Sequence, residues 1–265
     1  MSFQVVNSRH SRPRLRWSGP RRGRAPAKSL RSPPYGRAVT PSYGEPFRGF
    51  RDHAESPFFR APGHSPEETW ELSVDQLAHL LVNLGPLAAA GPIEMSSALL
   101  CSWHREIFGA LFPEHAGRLR SFRHGEWEHV YFGGHVGTRQ PRDIRVYRGT
   151  SPRELPGRLR KICTEFNTAA AAIRASPTAD SFDAVHAATR LYAKVLRAHP
   201  FLDGNLRATT ITLNAALLTL GLPRVRFNDI DLHDDLLGIA FVGKHDPYRP
   251  LAEEITKIFQ NTDPA

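Results

Sequence analysis

The stretch His199-Pro-Phe-Leu-Asp-Gly-Asn-Leu-Arg207 lies between two segments with helical apolar spacing. Before it, residues 180–197 carry apolar side chains three to four positions apart, which predicts an amphipathic helix. After it, residues 207–220 repeat this spacing, and Gly221 and Pro223 then provide a cap and a stop. The stretch is therefore predicted to be a tight loop that leads into the N-terminus of a buried helix.

The loop combines residue types that suit a bound phosphate. The first turn of a helix leaves backbone N–H groups without intrahelical partners, and the helix dipole adds partial positive charge there. Gly204 lets the backbone approach a ligand closely, Asn205 can cap the helix, and Arg207 offers a forked donor to phosphate oxygens. Asp203 is a hard oxygen ligand for Mg²⁺, and His199 can act as a general base near neutral pH.

Each of these residues also has an ordinary structural interpretation. Asp203-Gly-Asn205 is the composition of a common turn, and a lone His199 is more often a structural loop residue. An isolated Arg207 is typically a solvated helix residue, whereas Phe201 is expected in the core under either interpretation. It is the order of these residues ahead of a helix, more than any one of them, that favours a phosphate site.

This order resembles the signature of the Fic/Doc family, His-x-Phe-x-(Asp/Glu)-Gly-Asn-Gly-Arg-x-x-Arg. Family members mostly transfer AMP from ATP to a hydroxyl of a protein. The resemblance implies that His199 removes the proton of a target Ser, Thr or Tyr hydroxyl and that Asp203 holds Mg²⁺. It also implies that the segment Gly204–Arg207 holds the nucleotide phosphates and that Phe201 fixes the loop in the core.

Two positions depart from that signature. Leu206, within the segment expected to hold phosphate, stands at the place of the second glycine, and Thr210 stands at the place of the second arginine. A leucine side chain can obstruct the usual ATP pose, and loss of the arginine weakens the grip on the terminal phosphate by about 1.5–3 kcal/mol. In the Doc branch a lysine replaces the glycine, and phosphate is transferred instead of AMP. Phospho-group transfer of Doc type and an inactive Fic fold that acts as a binding module therefore stay open beside AMP transfer.

A second, weaker match lies upstream of the loop. Trp103-His-Arg-Glu-Ile-Phe followed by His115-Ala-Gly-Arg-Leu-Arg120 is similar to a family helix that leads into an Ala-Gly-x-x-Arg turn. Further along, residues 144–147 alternate in polarity and predict a strand, with a turn at 148–150. By resemblance, a hairpin flap near 143–155 pairs with an extended segment of the target through Arg145, Val146 and Tyr147. The residues alone fit an ordinary surface hairpin equally well.

The resemblance and the helical spacing together predict an all-α fold. About seven helices are expected around the central helix that follows the loop, with one small β-hairpin flap. Ser65-Pro-Glu-Glu begins a helix that is expected to end near Leu84, before Gly85-Pro86. Other helices are predicted over residues 93–112, 154–175 and 248–259.

The net charge of +9 is concentrated at the N-terminus. Residues 1–65 contain 13 Lys and Arg but only 3 Asp and Glu, together with nine of the 22 prolines. This composition predicts a disordered basic arm over 1–65, followed by a Fic domain over 66–265. The arm can contact nucleic acid or an anionic surface weakly and without sequence preference. The rest of the chain is nearly neutral, which argues against a nucleic-acid-binding domain.

Several negative features bear on location and partners. No apolar run is long enough to span a bilayer, and Cys101 and Cys163 form neither a disulfide framework nor a metal motif. The cytoplasm is therefore expected, although the Arg- and Ser-rich start is also typical of a transit peptide or of an exported effector. The acidic residues within 227–237 favour helix capping over a metal site. No inhibitory (Ser/Thr)-x-x-x-Glu-(Gly/Asn) motif is complete, so the resemblance implies that any inhibitor is a separate antitoxin-like partner.

Overall fold

The computed structural model describes residues 5–6, 61–120, 131–136, 143–225, 240 and 245–261. Within these ranges the protein is mainly helical, with six helices and three short strands. In chain order the elements are β1 (Val5–Val6), α1 (Pro66–Ala89), α2 (Ser97–Phe108), β2 (Tyr131–Val136), β3 (Asp143–Arg148), α3 (Leu155–Ala175), α4 (Ser181–Ala198), α5 (Asn205–Thr219) and α6 (Arg249–Asn261).

Helix α5 is the central helix of the bundle. Every residue along it is buried except Leu206 and Leu218, and it contacts α1, α2 and α4. Its threonines tolerate this burial because Thr209 and Thr212 donate their hydroxyls to carbonyl oxygens four residues earlier, at 2.8 and 2.7 Å. The predicted buried helix after the loop is therefore confirmed.

The helix that delivers the loop, α4, is also confirmed. Asp180 caps it, because its side chain accepts from the N–H of Asp183 while the Asp183 carboxylate accepts from the N–H of Asp180. The apolar side of α4 packs against both α3 and α5. The loop is thus held between two helices that are fixed in the same core.

Two predicted helix boundaries are wrong. Helix α1 continues through Gly85-Pro86 to Ala89. Pro86 has no N–H to donate to the carbonyl of Val82, but Val82 is 63% exposed, so water can replace that donor. Helix α2 is shorter than predicted and begins only after Ser96, whose hydroxyl accepts from the N–H of Leu99 at 3.1 Å.

The residues before α2 are extended because side chains of other helices satisfy their backbone groups. The N–H of Ile93 donates to the hydroxyl of Thr219 at 3.2 Å. The amide of Asn167 accepts from the N–H of Met95 and donates to its carbonyl oxygen, both at 2.9 Å. These bonds compete with the intrahelical bonds that a longer α2 would need.

The strands form one antiparallel sheet in the order β1-β2-β3. Tyr131 lies opposite Arg148 and Val136 lies opposite Asp143. The strand predicted over 144–147 falls in β3 and is confirmed. The predicted turn at 148–150 into a second strand is wrong, because the partner strand β2 precedes β3 and helix α3 begins at Leu155. Residues 137–142 between the two strands lie outside the described residues.

Little of the N-terminal arm is within the described residues. Val5–Val6 pairs with Phe132 and Tyr131, and the chain is described again from Ala61. Ala61 is buried in the core, and its N–H donates to the hydroxyl of Thr69 at 2.9 Å. Core packing therefore begins a few residues before the predicted boundary at 65. The acidic stretch 227–237 lies outside the described residues. Among the helices that the structure does describe, none is long and apolar enough to cross a membrane.

Candidate active site

His199 ends α4 and begins the loop. Its backbone is left-handed, with φ 52° and ψ 63°, and its N–H still donates to the carbonyl oxygens of Val195 and Leu196 at 3.2 and 3.1 Å. A left-handed residue at this position is a common helix ending, but for a residue other than glycine it costs about 1 kcal/mol. The side chain of His199 is only 5% exposed. The chain therefore turns sharply at the proposed base, and the surrounding contacts must offset this backbone strain.

Arg120 supplies those contacts. Its Nε donates to the carbonyl oxygen of His199 at 2.6 Å, and its guanidinium also donates to the carbonyl oxygens of Thr150 at 2.7 Å and Ala198 at 3.4 Å. Burial lowers the pKa of Arg120 to about 10, so the side chain is still charged at neutral pH. A cation at the C-terminus of α4 also complements the helix dipole. The arginine of the upstream Ala-Gly-x-x-Arg turn thus fixes the start of the loop.

Phe201 and Asn205 close the loop on itself. The Oδ1 of Asn205 accepts from the N–H of Phe201 at 2.9 Å, and its Nδ2 donates to the Phe201 carbonyl oxygen at 3.0 Å. Phe201 is fully buried, in the place expected of a core anchor. The interpretation of Asn205 as a helix cap is wrong, because Gly204 is the N-cap of α5 and the amide is used within the loop. The backbone N–H of Asn205, at the first residue of α5, can still donate to a phosphate.

Gly204 is required by packing. Its φ is 70°, and a Cβ at this position would lie 2.2 Å from Cε2 of Phe108 and 3.2 Å from Nε2 of His104. A side chain is therefore excluded by α2, which passes directly behind the loop. The close contact at Gly204 in this structure is with a helix of the same protein, and the predicted approach to a ligand stays a prediction.

Asp203 contributes a carboxylate beside the start of α5. Its Oδ1 accepts from the N–H of Gly204 at 2.6 Å. In the described part of the chain, no three His, Cys, Asp or Glu side chains form a potential metal cluster. A single carboxylate fits Mg²⁺, which proteins often hold by one or two carboxylates while phosphates and water complete the shell. Asp203 therefore suits a metal that arrives with a nucleotide.

His104 belongs to the support of the loop, and the sequence interpretation did not give it a role. Its Nδ1 accepts from the N–H of Gly117 at 2.9 Å, so the proton lies on Nε2, which donates to the carbonyl oxygen of Asp203 at 3.0 Å. The ring also stacks on Phe201 with centroids 3.9 Å apart. Burial, more than any other cause, lowers the pKa of His104 to about 4, so the imidazole is neutral. The sequence did contain a signal for this role, because His104 is a polar residue on the apolar face of α2.

Arg207 lies in the first turn of α5 and is 2% exposed. Its Cζ is 4.3 Å from the ring centroid of Trp70 and 5.4 Å from that of Phe108. Burial lowers the pKa of Arg207 to about 9, and the negative charge of Asp203 partly opposes this shift. The guanidinium therefore carries its charge at neutral pH. Trp70, on α1, is a second residue that the sequence interpretation missed.

The structure also shows the surroundings of the two residues that depart from the family signature. Leu206 is half-buried and packs against the edge of the core. Thr210 is fully buried, and its hydroxyl donates to the carbonyl oxygen of Leu206 at 3.0 Å. A threonine bound to its own helix supplies no positive charge, so within the described part of α5 only Arg207 carries a guanidinium.

Together these residues place positively polarised groups at a helix N-terminus. The first helical bond at this end runs from the N–H of Ala208 to the carbonyl of Gly204 at 3.1 Å, so residues 205–207 precede the regular bond ladder. Their N–H groups, the helix dipole and Arg207 all favour an anion. Asp203 and His199, at earlier positions of the same loop, have side chains that can act as a metal ligand and a proton acceptor.

Comparison with known proteins identifies a family for the region that contains the loop. Residues 94–217 match the model of the Fic/DOC family. A crystal structure of a Fic domain containing signaling protein from Bacteroides thetaiotaomicron aligns with a TM-score of 0.50 and 18% identity, over 75% of this chain and 68% of that one. A segment of Fic-1 from C. elegans aligns with a TM-score of 0.49 and 23% identity, over 75% of this chain and 52% of that one. This chain therefore spans about half of the C. elegans segment, and α1 lies outside the matched family range.

Proposed function

We propose that the region matching the Fic/DOC family model, residues 94–217, transfers AMP from ATP to a hydroxyl side chain of a target protein. The observation that supports this most is the loop itself. It joins His199, at the left-handed end of α4, to Arg207, in the first turn of α5. Arg120, His104 and Asn205 fix the loop backbone through hydrogen bonds, so both ends are held in a defined geometry.

The proposed reaction is an in-line displacement at the α-phosphorus. The target hydroxyl oxygen forms a bond to this phosphorus, and the bond to the oxygen that bridges to the β-phosphorus breaks. Pyrophosphate leaves, and the hydroxyl proton passes to a ring nitrogen of His199. Arg207 and the N–H groups of residues 205–207 stabilise the charge on the phosphate oxygens. When bound at Asp203, Mg²⁺ would add further neutralisation of the phosphates.

The target is proposed to pair with strand β3, which contains Arg145, Val146 and Tyr147. Among the described strands β3 lies at the edge of the sheet, so its outer side is available to an added strand. The chain leaves β3 through Gly149 and Thr150, whose N–H donates to the carbonyl of Ala198 at 3.1 Å. A target strand on this edge would therefore reach toward His199.

Labelled ATP tests the proposal. The protein is incubated with candidate target proteins and with ATP labelled on either the α- or the γ-phosphate. We expect protein-bound label from the α-phosphate with the wild type and none with His199→Ala, while His79→Ala, on the exposed side of α1, retains transfer. Label from the γ-phosphate alone would instead show phosphate transfer. ATP binding without transfer of either label would contradict both reactions.

A catalytically inactive binding module is the second candidate function. It is supported by the deep burial of Arg207 and by Thr210, which replaces a second arginine with a hydroxyl bound to its own helix. This alternative predicts no measurable affinity for ATP with or without Mg²⁺. Isothermal titration calorimetry with the intact chain separates the two functions, because the transferase requires a bound triphosphate.

Two further partners are proposed to bind away from this site. An antitoxin-like inhibitor would be a separate protein, and the basic arm over 1–65 would contact nucleic acid or an anionic surface weakly. If the arm makes this contact, deletion of residues 1–60 removes binding to duplex DNA. The affinity of the intact chain for DNA then falls steeply as the salt concentration rises. Retention of DNA binding after the deletion would locate the contact in the domain.

A further inference from the structure

Trp70 contacts a buried charged group, the guanidinium of Arg207. It lies in the first part of α1, is 2% exposed, and its ring centroid is 4.3 Å from Cζ of Arg207. Phe108 of α2 approaches the same carbon at 5.4 Å. Two aromatic rings from two different helices therefore contact the guanidinium of a third.

This contact limits the freedom of Arg207. A free arginine side chain has several rotatable bonds, and ordering it on a ligand costs conformational entropy. A guanidinium that already lies over aromatic rings has lost most of this freedom before a ligand arrives. Its planar fork of N–H donors then has a fixed orientation relative to the first turn of α5.

Phe108 couples this orientation to the loop. The atom that excludes a side chain from Gly204 belongs to the same ring that contacts Arg207. Phe108 therefore packs against Gly204 and also contacts Arg207. Trp70 contacts the same guanidinium from α1.

We infer that Trp70 is a positioning residue for Arg207 and that α1, outside the matched family range, is part of the phosphate site. This inference rests on the proposed function, because it assigns Arg207 to a nucleotide phosphate. Trp70 acts through Arg207 and does not itself touch the nucleotide. The protein requires α1 for phosphate binding as well as for stability.

Nucleotide affinity tests the inference. Dissociation constants for ATP and for adenosine, which lacks phosphate, are measured by calorimetry with the wild type, Trp70→Phe and Trp70→Leu. We expect Trp70→Leu to weaken ATP about tenfold and to leave adenosine unchanged, because only the contact to the phosphate-binding arginine is lost. Trp70→Phe keeps an aromatic ring and retains most of the ATP affinity. Trp103→Leu, at a buried tryptophan of α2 that contributes to the apolar core, is the matched control and leaves the ratio of the two affinities unchanged.

A second readout needs no ligand. The Nε–Hε resonance of Arg207, assigned by its absence in Arg207→Lys, is followed by NMR. We expect slow hydrogen exchange in the wild type and in Trp70→Phe, and fast exchange in Trp70→Leu. Unchanged or tighter ATP binding by Trp70→Leu, equal loss of ATP and adenosine, or unchanged exchange would overturn the inference. If the wild type binds no ATP, the proposed function fails, and the exchange rates still decide whether Trp70 positions Arg207.

Discussion

The Nε of Arg120 donates a 2.6 Å hydrogen bond to the carbonyl oxygen of His199, 79 positions further along the chain. The backbone N–H of Arg120 also donates to the carbonyl oxygen of Pro200 at 2.9 Å. One residue of the upstream turn therefore binds consecutive carbonyl groups at the end of α4. This arrangement explains how a histidine is held with a positive φ.

Replacement of Arg120 should release the loop. We expect Arg120→Met to lower the free energy of unfolding by about 3–5 kcal/mol, because three carbonyl groups lose a charged donor in a buried place. Urea denaturation measures this change. Arg118→Met, two positions earlier and exposed, is the control and should change stability by less than about 0.5 kcal/mol. Equal stability of the two variants would show that Arg120 does not hold the loop.

Two asparagines make the same pair of hydrogen bonds and allow a matched comparison. Asn205 binds both backbone groups of Phe201, and Asn167 binds both backbone groups of Met95. Each change to alanine should cost about 1–3 kcal/mol, because the buried backbone groups lose their partners. Only Asn205→Ala should also weaken ATP binding, measured by calorimetry, because only that pair shapes the loop. An equal effect of both changes on ATP affinity would argue that the loss is one of general stability.

Gly204→Ala should be strongly destabilising. The new Cβ would lie 2.2 Å from Phe108 at a φ of 70°, so both the packing and the backbone are unfavourable. We expect a loss of at least about 2 kcal/mol in thermal or urea unfolding. Gly157→Ala, in α3 and with no atom near the added methyl, should be neutral or stabilising by up to about 1 kcal/mol. A tolerated alanine at 204 would mean that α2 lies further from the loop.

The buried neutral His104 predicts a specific pH dependence. Its pKa is about 4 in the folded protein against 6.5 for an ordinary histidine, so the unfolded chain binds the extra proton between these values. The free energy of unfolding should therefore fall by roughly 3 kcal/mol as the pH decreases from 6.5 to 4. Urea denaturation in the presence of EDTA, at pH 7, 5.5 and 4, measures the fall.

The variant His104→Gln isolates this effect. Glutamine does not titrate, so the difference in stability between wild type and variant should shrink as the pH falls. His79→Gln, on the exposed side of α1, should follow the wild type at every pH. Parallel curves for wild type and His104→Gln would show that His104 does not carry the pH dependence.

Leu206 tests whether the departure from the family signature restricts the nucleotide. Leu206→Gly restores the glycine, and we expect ATP to bind more tightly by at least a few-fold because the leucine side chain can obstruct the usual pose. The same change should reduce stability by about 1–2 kcal/mol through lost helix propensity and burial. Leu218→Gly, at the other partly buried leucine of α5, should lower stability by the same amount without increasing the affinity for ATP. Unchanged ATP affinity in Leu206→Gly would show that the leucine is no obstacle.

The sequence by itself determined the helices on both sides of the loop. The apolar spacing before and after His199–Arg207, with Asp180 as a cap, specifies α4 and α5 through interactions that span only a few residues. The strand over residues 144–147 follows from local alternation in the same way. Signals of this kind can be recognised within a short window of sequence.

The tertiary structure alone decided how the loop is held. Three contacts that hold the loop join residues far apart in sequence, and no periodicity encodes them. They are the contact of Trp70 with Arg207 and the hydrogen bonds of His104 to Asp203 and of Arg120 to His199. The use of Asn205 within the loop and the pairing of β3 with an earlier strand were misread for the same reason. Helix and turn preferences act over one or two turns of chain, whereas the orientation of a buried arginine or histidine depends on which distant helices pack against it.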